Sequence, residues 1–318
     1  MMKTHMVKKI LSLDGGGIKG VFIASLLAEI EEKRNLKICD YFDLIAGTST
    51  GGIIAAALAL GMSARTVEKL YTTHAKDIFP QKSWRGLFRI WGGKYSSKPL
   101  ESCLKEQFGS LKISNCKTRL LIPSFNLSTC KPQVFKTSHS PDLEFDYQKN
   151  ITEVLMNTTA APTFLNPNRT SKGVYVDGGI GANNPSGIAV VEGLTRCGWK
   201  ASDIRLFSIG CTKDLGNVTT GKEKMGFLNV ARLIDSFMAA ESEYSSNIAK
   251  LFIGGSNYLR INPIVPSKVT SLDKSDSKSI DHLKQLGFHE AKKHMKEITE
   301  IFLQEKKGVF VPSHKEEL

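Results

Sequence analysis

The run Leu44–Ala64, LIAGTSTGGIIAAALALGMSA, carries no charged residue and is long enough to cross a bilayer. Four glycines, Gly47, Gly51, Gly52 and Gly61, and the hydroxyl residues Thr48, Ser49, Thr50 and Ser63 interrupt it. A strand, a tight turn and a buried helix account for that mixture better than one membrane-spanning helix. Tyr41–Ala46 reads as the buried strand, and Ile53–Leu60 as a helix too apolar for a surface. Upstream, Val7–Leu13 alternates loosely and stops at Asp14 and three glycines, after which Val21–Glu32 has helical periodicity. Strand, glycine loop and helix therefore occur twice in succession, which predicts a mainly parallel sheet with helices on its faces.

Further strands are expected at Arg119–Asn126, Gln133–Lys136, Val174–Val176 and Arg205–Ile209, and helices near Thr66–Ala75, Pro99–Phe108 and Ile188–Thr195. After about residue 222 the pattern turns mainly helical and ends in a long segment, Ser279–Gln304. The expected organisation is a catalytic domain over 1–221, with 222–318 as a mainly helical C-terminal region packed on it or extending it. No repeat, low-complexity segment or proline-rich linker divides the 318 residues, so one large core is expected.

The composition, 41% hydrophobic and 23% charged, is that of an ordinary globular chain. A formal charge of +12 favours encounter with a polyanion or an anionic membrane surface. The cysteines at 39, 103, 116, 130, 197 and 211 show neither C-x-x-C pairs nor metal-ligand spacing, which points to a reducing compartment and a metal-free, cofactor-free site. Met1–Lys9 holds no apolar stretch that would serve as a signal peptide. The terminal Lys-Glu-Glu-Leu, which looks like a retention signal, is accordingly read as chance.

Three glycine-flanked signals carry the chemistry. Gly47-Thr48-Ser49-Thr50-Gly51 fits G-x-S-x-G between strand and helix, the context in which a strained turn pushes a nucleophilic serine outward. A glycine-rich structural turn would look the same in isolation. Gly15-Gly16-Gly17-Ile18-Lys19-Gly20 opens the first helix, and its backbone N–H groups would converge on an anion. The same run also satisfies G-x-G-x-x-G, with Asp40 at a distance suited to a ribose, so dinucleotide binding in a Rossmann fold is an alternative. Asp177-Gly178-Gly179 ends a short apolar run and is followed by Asn183-Asn184-Pro185. Alone it would be an Asx turn. Three such signals at strand ends of one sheet instead mark the place where α/β active sites assemble.

Together these motifs resemble the patatin-like phospholipase family: Asp14-Gly15-Gly16-Gly17-Ile18-Lys19-Gly20, Gly47-Thr48-Ser49-Thr50-Gly51-Gly52 and Asp177-Gly178-Gly179, in the family's order. Leu121-Ile122-Pro123-Ser124-Phe125-Asn126-Leu127 running on to Phe135, and Ala160-Ala161-Pro162-Thr163-Phe164, also look like the family, so the resemblance covers about residues 8 to 211. It implies a three-layer α/β/α sandwich and a lipid acyl hydrolase. It further implies a Ser49–Asp177 dyad and an oxyanion hole built from the N–H groups of Gly15, Gly16 and Gly17. Membrane phospholipids, anionic ones in view of the charge, are the expected partners, with no DNA or RNA. The expected location is the cytoplasm, with peripheral association to the inner face of the membrane.

His282, His289 and His294 follow Asp177 in the order of an α/β-hydrolase triad, but they fall on an expected helix and read as helix-margin residues. His289-Glu290 and His294 are spaced one residue too far apart for a zinc helix. Trp84, Leu87, Phe88 and Trp91 recur as one face of a short helix, with Arg85, Arg89, Lys94 and Tyr95 alongside, which suits either an element lying in a membrane interface or core packing. Compact bacterial members of the family resemble this chain in size, and some act in antiphage defence when a cyclic nucleotide switches them on. The sequence has no recognised cyclic-nucleotide motif, and the resemblance alone leaves such an activator open.

Overall fold

The computed structural model describes residues 7–80, 93–214, 230–265 and 271–315. In chain order it runs β1 (Lys8–Leu13), α1 (Gly20–Arg34), β2 (Leu44–Gly47), α2 (Thr50–Ala59), α3 (Ala64–Ile78), α4 (Lys98–Phe108), β3 (Arg119–Asn126), β4 (Lys131–Lys136) and α5 (Ile151–Thr158). It continues with β5 (Asn168–Thr170), β6 (Gly173–Asp177), α6 (Gly179–Ala182), α7 (Ser186–Thr195), β7 (Ile204–Ile209), β8 (Lys213–Asp214), α8 (Val230–Ile253), β9 (Tyr258–Ile261), β10 (Ile264–Val265) and α9 (Ser277–Phe302). The uncharged run resolves into β2, a turn and α2, and no described helix is long and apolar enough to cross a membrane.

The main sheet has the order β5-β6-β3-β2-β1-β7-β9, and β4 also pairs with β3. The neighbours from β3 to β9 are parallel, whereas β4, β5 and β6 run antiparallel to theirs. Successive side chains on a strand face opposite ways. Leu11 and Leu13 of β1 and Ile45 of β2 thus join the core shared with α1, α2 and α9, while Ile10, Leu44 and Ala46 join a second core with Ala189 and Val190 of α7 and Ala249 and Ile253 of α8. Helices therefore cover both faces and give the three-layer sandwich.

The C-terminal region is not only helical. β9 adds a parallel strand beside β7, and α9 packs along α1, so this region completes the same sandwich.

Pairing along β3 brings two of the candidate residues together. Leu121 pairs with both Ala46 of β2 and Lys136 of β4, and Ser124 pairs with both Asp177 of β6 and Gln133 of β4. A strand has two edges, so β2 and β6 must share the edge opposite β4. Because β2 is parallel and β6 antiparallel to β3, their C-terminal ends run toward each other along that edge. The residues just beyond β2 and at the end of β6 are Ser49 and Asp177.

Candidate active site

Ser49 sits between β2 and α2 with φ 53° and ψ −121°, a conformation an L-residue rarely adopts. Holding it costs about 1–3 kcal/mol, and the surrounding contacts over-determine it. Its N–H donates to Thr158 Oγ1 at 3.0 Å, and the Thr158 hydroxyl donates to the Pro123 carbonyl at 2.6 Å. The neighbouring Thr48 N–H donates to Leu13 O at 3.1 Å, and the Thr48 hydroxyl to Ala182 O at 2.6 Å. A Cβ on Gly47 would lie 2.1 Å from Gly51 O, and one on Gly51 2.3 Å from Leu13 O. Backbone rather than side chain fills that space, so both positions require glycine.

The Ser49 hydroxyl donates to Asp177 Oδ2 at 2.5 Å. Asp177 Oδ1 accepts the Gly179 N–H at 2.7 Å, and the Asp177 N–H donates to Ala160 O at 3.0 Å. The aspartate is thus fixed at its backbone and at both carboxylate oxygens. Burial pushes the Asp177 carboxyl up to about 6, although the bonds from Ser49 and Gly179 pull the other way. That value moves a weak carboxylate base toward neutrality, where it can serve a general-base role.

The N–H groups of the glycine loop divide. Gly15 N–H donates to the Asn183 carbonyl at 3.0 Å, so in this conformation it is engaged and does not face an oxyanion. The Ile18 N–H donates to Leu272 O at 2.9 Å. Among the described residues no hydrogen bond takes up the N–H of Gly16 or Gly17, and both glycines line the cavity that contains Ser49 and Asp177.

That cavity opens to solvent and is lined mainly by apolar side chains. Tyr71, Ala75 and Ile78 present one face of α3 to it, and Ile53, Phe79 and Leu100 complete an apolar wall. Ser49 and Asp177 line it too, among mostly apolar residues. Such a shape fits an alkyl chain whose ester lies at Ser49.

His282, His289 and His294 lie on α9 and do not line this cavity. No group of three or more His, Cys, Asp or Glu residues is placed to hold a metal among the described residues. All six cysteines are free. Trp84, Leu87, Phe88 and Trp91 lie outside the described residues.

The dinucleotide alternative fails on topology. A ribose-binding acid belongs at the C-terminal end of its strand. Asp40 instead precedes β2, where its carbonyl accepts the Lys307 N–H at 2.8 Å and its carboxylate meets Lys306 at 3.3 Å, at the opposite end of the parallel strands from the glycine loop.

A family model described as patatin-like phospholipase matches residues 11–190. The chain belongs to the patatin-like phospholipase family. It is similar to a cGAMP-activated phospholipase of Vibrio cholerae serotype O1, 35% identical with 88% of this chain and 89% of the relative covered. It is also similar to a cGAMP-activated phospholipase of Escherichia coli, 34% identical over 88% and 87% of the two chains. Patatin-like protein 2 of Oryza sativa subsp. indica is 30% identical over 90% and 84%. As a patatin-like phospholipase, the chain is a lipid-hydrolysing esterase, and its motifs at 14–20, 47–52 and 177–179 fall inside the matched region.

The remaining positioning groups gave no signal in the sequence. Thr158, at the end of α5, holds Ser49, and the Ala160 carbonyl, at the start of the Ala160–Phe164 stretch to which the family resemblance gave no role, holds Asp177. Arg260, whose guanidinium holds Asp14 at 2.6 and 3.1 Å, comes from β9, 246 positions away in sequence.

Proposed function

We propose that the chain cleaves fatty acyl esters of membrane glycerophospholipids with Ser49 as nucleophile and Asp177 as its base. The observation that carries this reading is the 2.5 Å bond between two side chains that line a largely apolar cavity. Ser49 Oγ attacks the ester carbonyl while Asp177 accepts the hydroxyl proton. The tetrahedral oxyanion is held by the N–H groups of Gly16 and Gly17, and by the positive end of the α2 dipole. Gly15, the third donor expected from the family, joins them only when its bond to Asn183 is released. Collapse breaks the ester bond, and Asp177 returns the proton to the departing lysolipid alcohol. Asp177 then takes a proton from water, whose oxygen attacks the acyl-serine; the fatty acid leaves as Asp177 passes that proton to Ser49 Oγ.

The apolar cavity takes the acyl chain. The charge of +12 supports action at an anionic bilayer from the cytoplasmic side. Ser49→Ala should abolish fatty acid release from phosphatidylglycerol vesicles and remove labelling by a fluorophosphonate probe. Hydrolysis that survives this substitution would sink the dyad.

A second element of the reading is control by a cyclic nucleotide, as part of a defence that turns the lipase on the cell's own membrane. It is supported by the two bacterial relatives named cGAMP-activated phospholipases, each aligned over 88% of this chain. The assay compares fatty acid release with and without added cGAMP. Release is expected only with cGAMP, and a full rate in its absence would exclude gating.

A further inference from the structure

Residues 271–276, just before α9, form a strap across the site. Leu272 lines the cavity that holds Ser49 and Asp177, and its carbonyl accepts the Ile18 N–H at 2.9 Å. The fit is close: a Cβ on Gly17, whose φ is +57°, would stand 2.3 Å from that oxygen. On the other side, the Asp273 carboxylate takes the Lys94 ammonium and accepts the Tyr95 hydroxyl at 2.8 Å. Against the upward push of its partial burial, Lys94 and Tyr95 hold the Asp273 carboxyl below its ordinary value. The Ser275 hydroxyl donates to the Phe79 carbonyl at 2.6 Å, and Asp276 caps α9 by accepting the Ser279 N–H at 3.0 Å.

The partners of Asp273 are themselves tied to the cavity wall. Lys94 N–H donates to Thr163 O at 3.0 Å and Tyr95 N–H to Phe164 O at 2.8 Å, within the Ala160–Phe164 stretch that begins with the carbonyl holding Asp177. The strap thus joins two halves of the site: the glycine loop through Leu272, and the wall leading to Asp177 through Asp273.

A glycine loop needs such external support. With no side chains at 15, 16 and 17, little but backbone bonding fixes its peptide planes. The bond from Ile18 to Leu272 orients the Gly17–Ile18 peptide, and through it the two preceding peptides whose N–H groups the esterase reading assigns to the oxyanion. We propose that Asp273 is a positioning residue: by latching the strap to Lys94 and Tyr95, it holds the Leu272 carbonyl against the loop and keeps the Gly16 and Gly17 N–H groups aimed at the reaction centre. The inference rests on the esterase reading and adds a requirement that none of the recognised motifs contains.

The test uses the full chain with cGAMP present, on phosphatidylglycerol vesicles, comparing Asp273→Ala, Asp273→Glu and Tyr95→Phe with the parent. A loop displaced by about 1 Å costs about a hundredfold in rate. Asp273→Ala should therefore lower kcat by about ten- to a hundredfold with KM changed less than about twofold, since Asp273 itself does not line the cavity. Asp273→Glu should recover part of the rate, and Tyr95→Phe, which removes one bond to the carboxylate, should lose only a few-fold. Melting temperatures should not follow this order. An unchanged kcat in Asp273→Ala, an increase showing that the strap blocks the site, or a loss that tracks thermal stability across the three variants would overturn the proposal. Absence of Ser49-dependent hydrolysis in the parent would remove the esterase reading and this inference together, whereas the preceding outcomes remove the inference alone.

Discussion

Asp14 and Asp177 each head an Asp-Gly-Gly sequence, each stands at the C-terminal end of a strand of the same sheet, and both are almost wholly buried. Their surroundings separate them. Asp14 faces the guanidinium of Arg260, which binds both of its oxygens and also donates to Ser208 Oγ at 2.6 Å. Asp177 faces a hydroxyl and one backbone N–H. Burial pushes both carboxyls upward, but at Asp14 the neighbouring cation pulls the other way, and no such cation acts on Asp177. A buried carboxylate locked to arginine is a structural tie. One paired with a serine hydroxyl is free to gain and lose a proton. The tripeptide marks a strand end that is suitable for a site, and the group placed opposite decides what the carboxylate does there.

Replacing each aspartate by asparagine breaks the comparison most directly, because the two changes should move stability in opposite directions. Asp177→Asn should reduce hydrolysis to near background, a loss of about four orders of magnitude of the kind seen when a member of a nucleophile–base unit is removed. It should also stabilise the fold near neutral pH. The folded-state pKa of Asp177 lies above its unfolded value, so its contribution to stability is fully present below about pH 4 and is lost as pH rises through about 6. The melting advantage of Asp177→Asn should therefore grow between pH 4 and pH 7, by up to about 3 kcal/mol. Asp14→Asn leaves Arg260 buried without its counter-charge and should destabilise by about 3–5 kcal/mol. Thermal and urea unfolding of the two variants checks both signs; two shifts in the same direction would erase the distinction.

The sequence made some of this visible. The β2–turn–α2 unit could be read because tight backbone contacts force glycine at 47 and 51, and because a buried helix has no use for charge. β6 could be read from its apolar run ending in Asp-Gly-Gly. β9 could not: Tyr-Leu-Arg-Ile is short, carries a charge and follows a long helix, so nothing local marks it as an edge strand of the same sheet. The role of Arg260 depends on that strand's register with β7, where it sits opposite Ser208. The engagement of Gly15 with Asn183 was equally hidden, since all three loop glycines look alike until the fold brings one carbonyl within reach.

A smaller but more specific effect concerns pH. If Asp177 acts as the base, kcat/KM should rise with pH and reach half its plateau near 6, falling about tenfold per unit below that. A profile flat from pH 7 down to 4.5 would show that deprotonated Asp177 is not required.

The mildest perturbation tests the structural side of the comparison. Ser208→Ala removes the hydroxyl that accepts from Arg260 Nη1 but leaves both guanidinium bonds to Asp14 in place. The same hydroxyl also accepts from Ser186 Oγ at 3.1 Å, so a small buried network loses one member. A net loss of about 1–3 kcal/mol in unfolding free energy is expected, because two accepted bonds go, one of them from a charged donor. The kcat and its pH profile should remain those of the parent, because the Asp14 cluster sets the shape of the sheet end and takes no part in proton transfer. A shift of the pH profile in Ser208→Ala would mean that the two aspartates are electrostatically coupled through the glycine loop, and that the division between a structural and a chemical carboxylate is drawn in the wrong place.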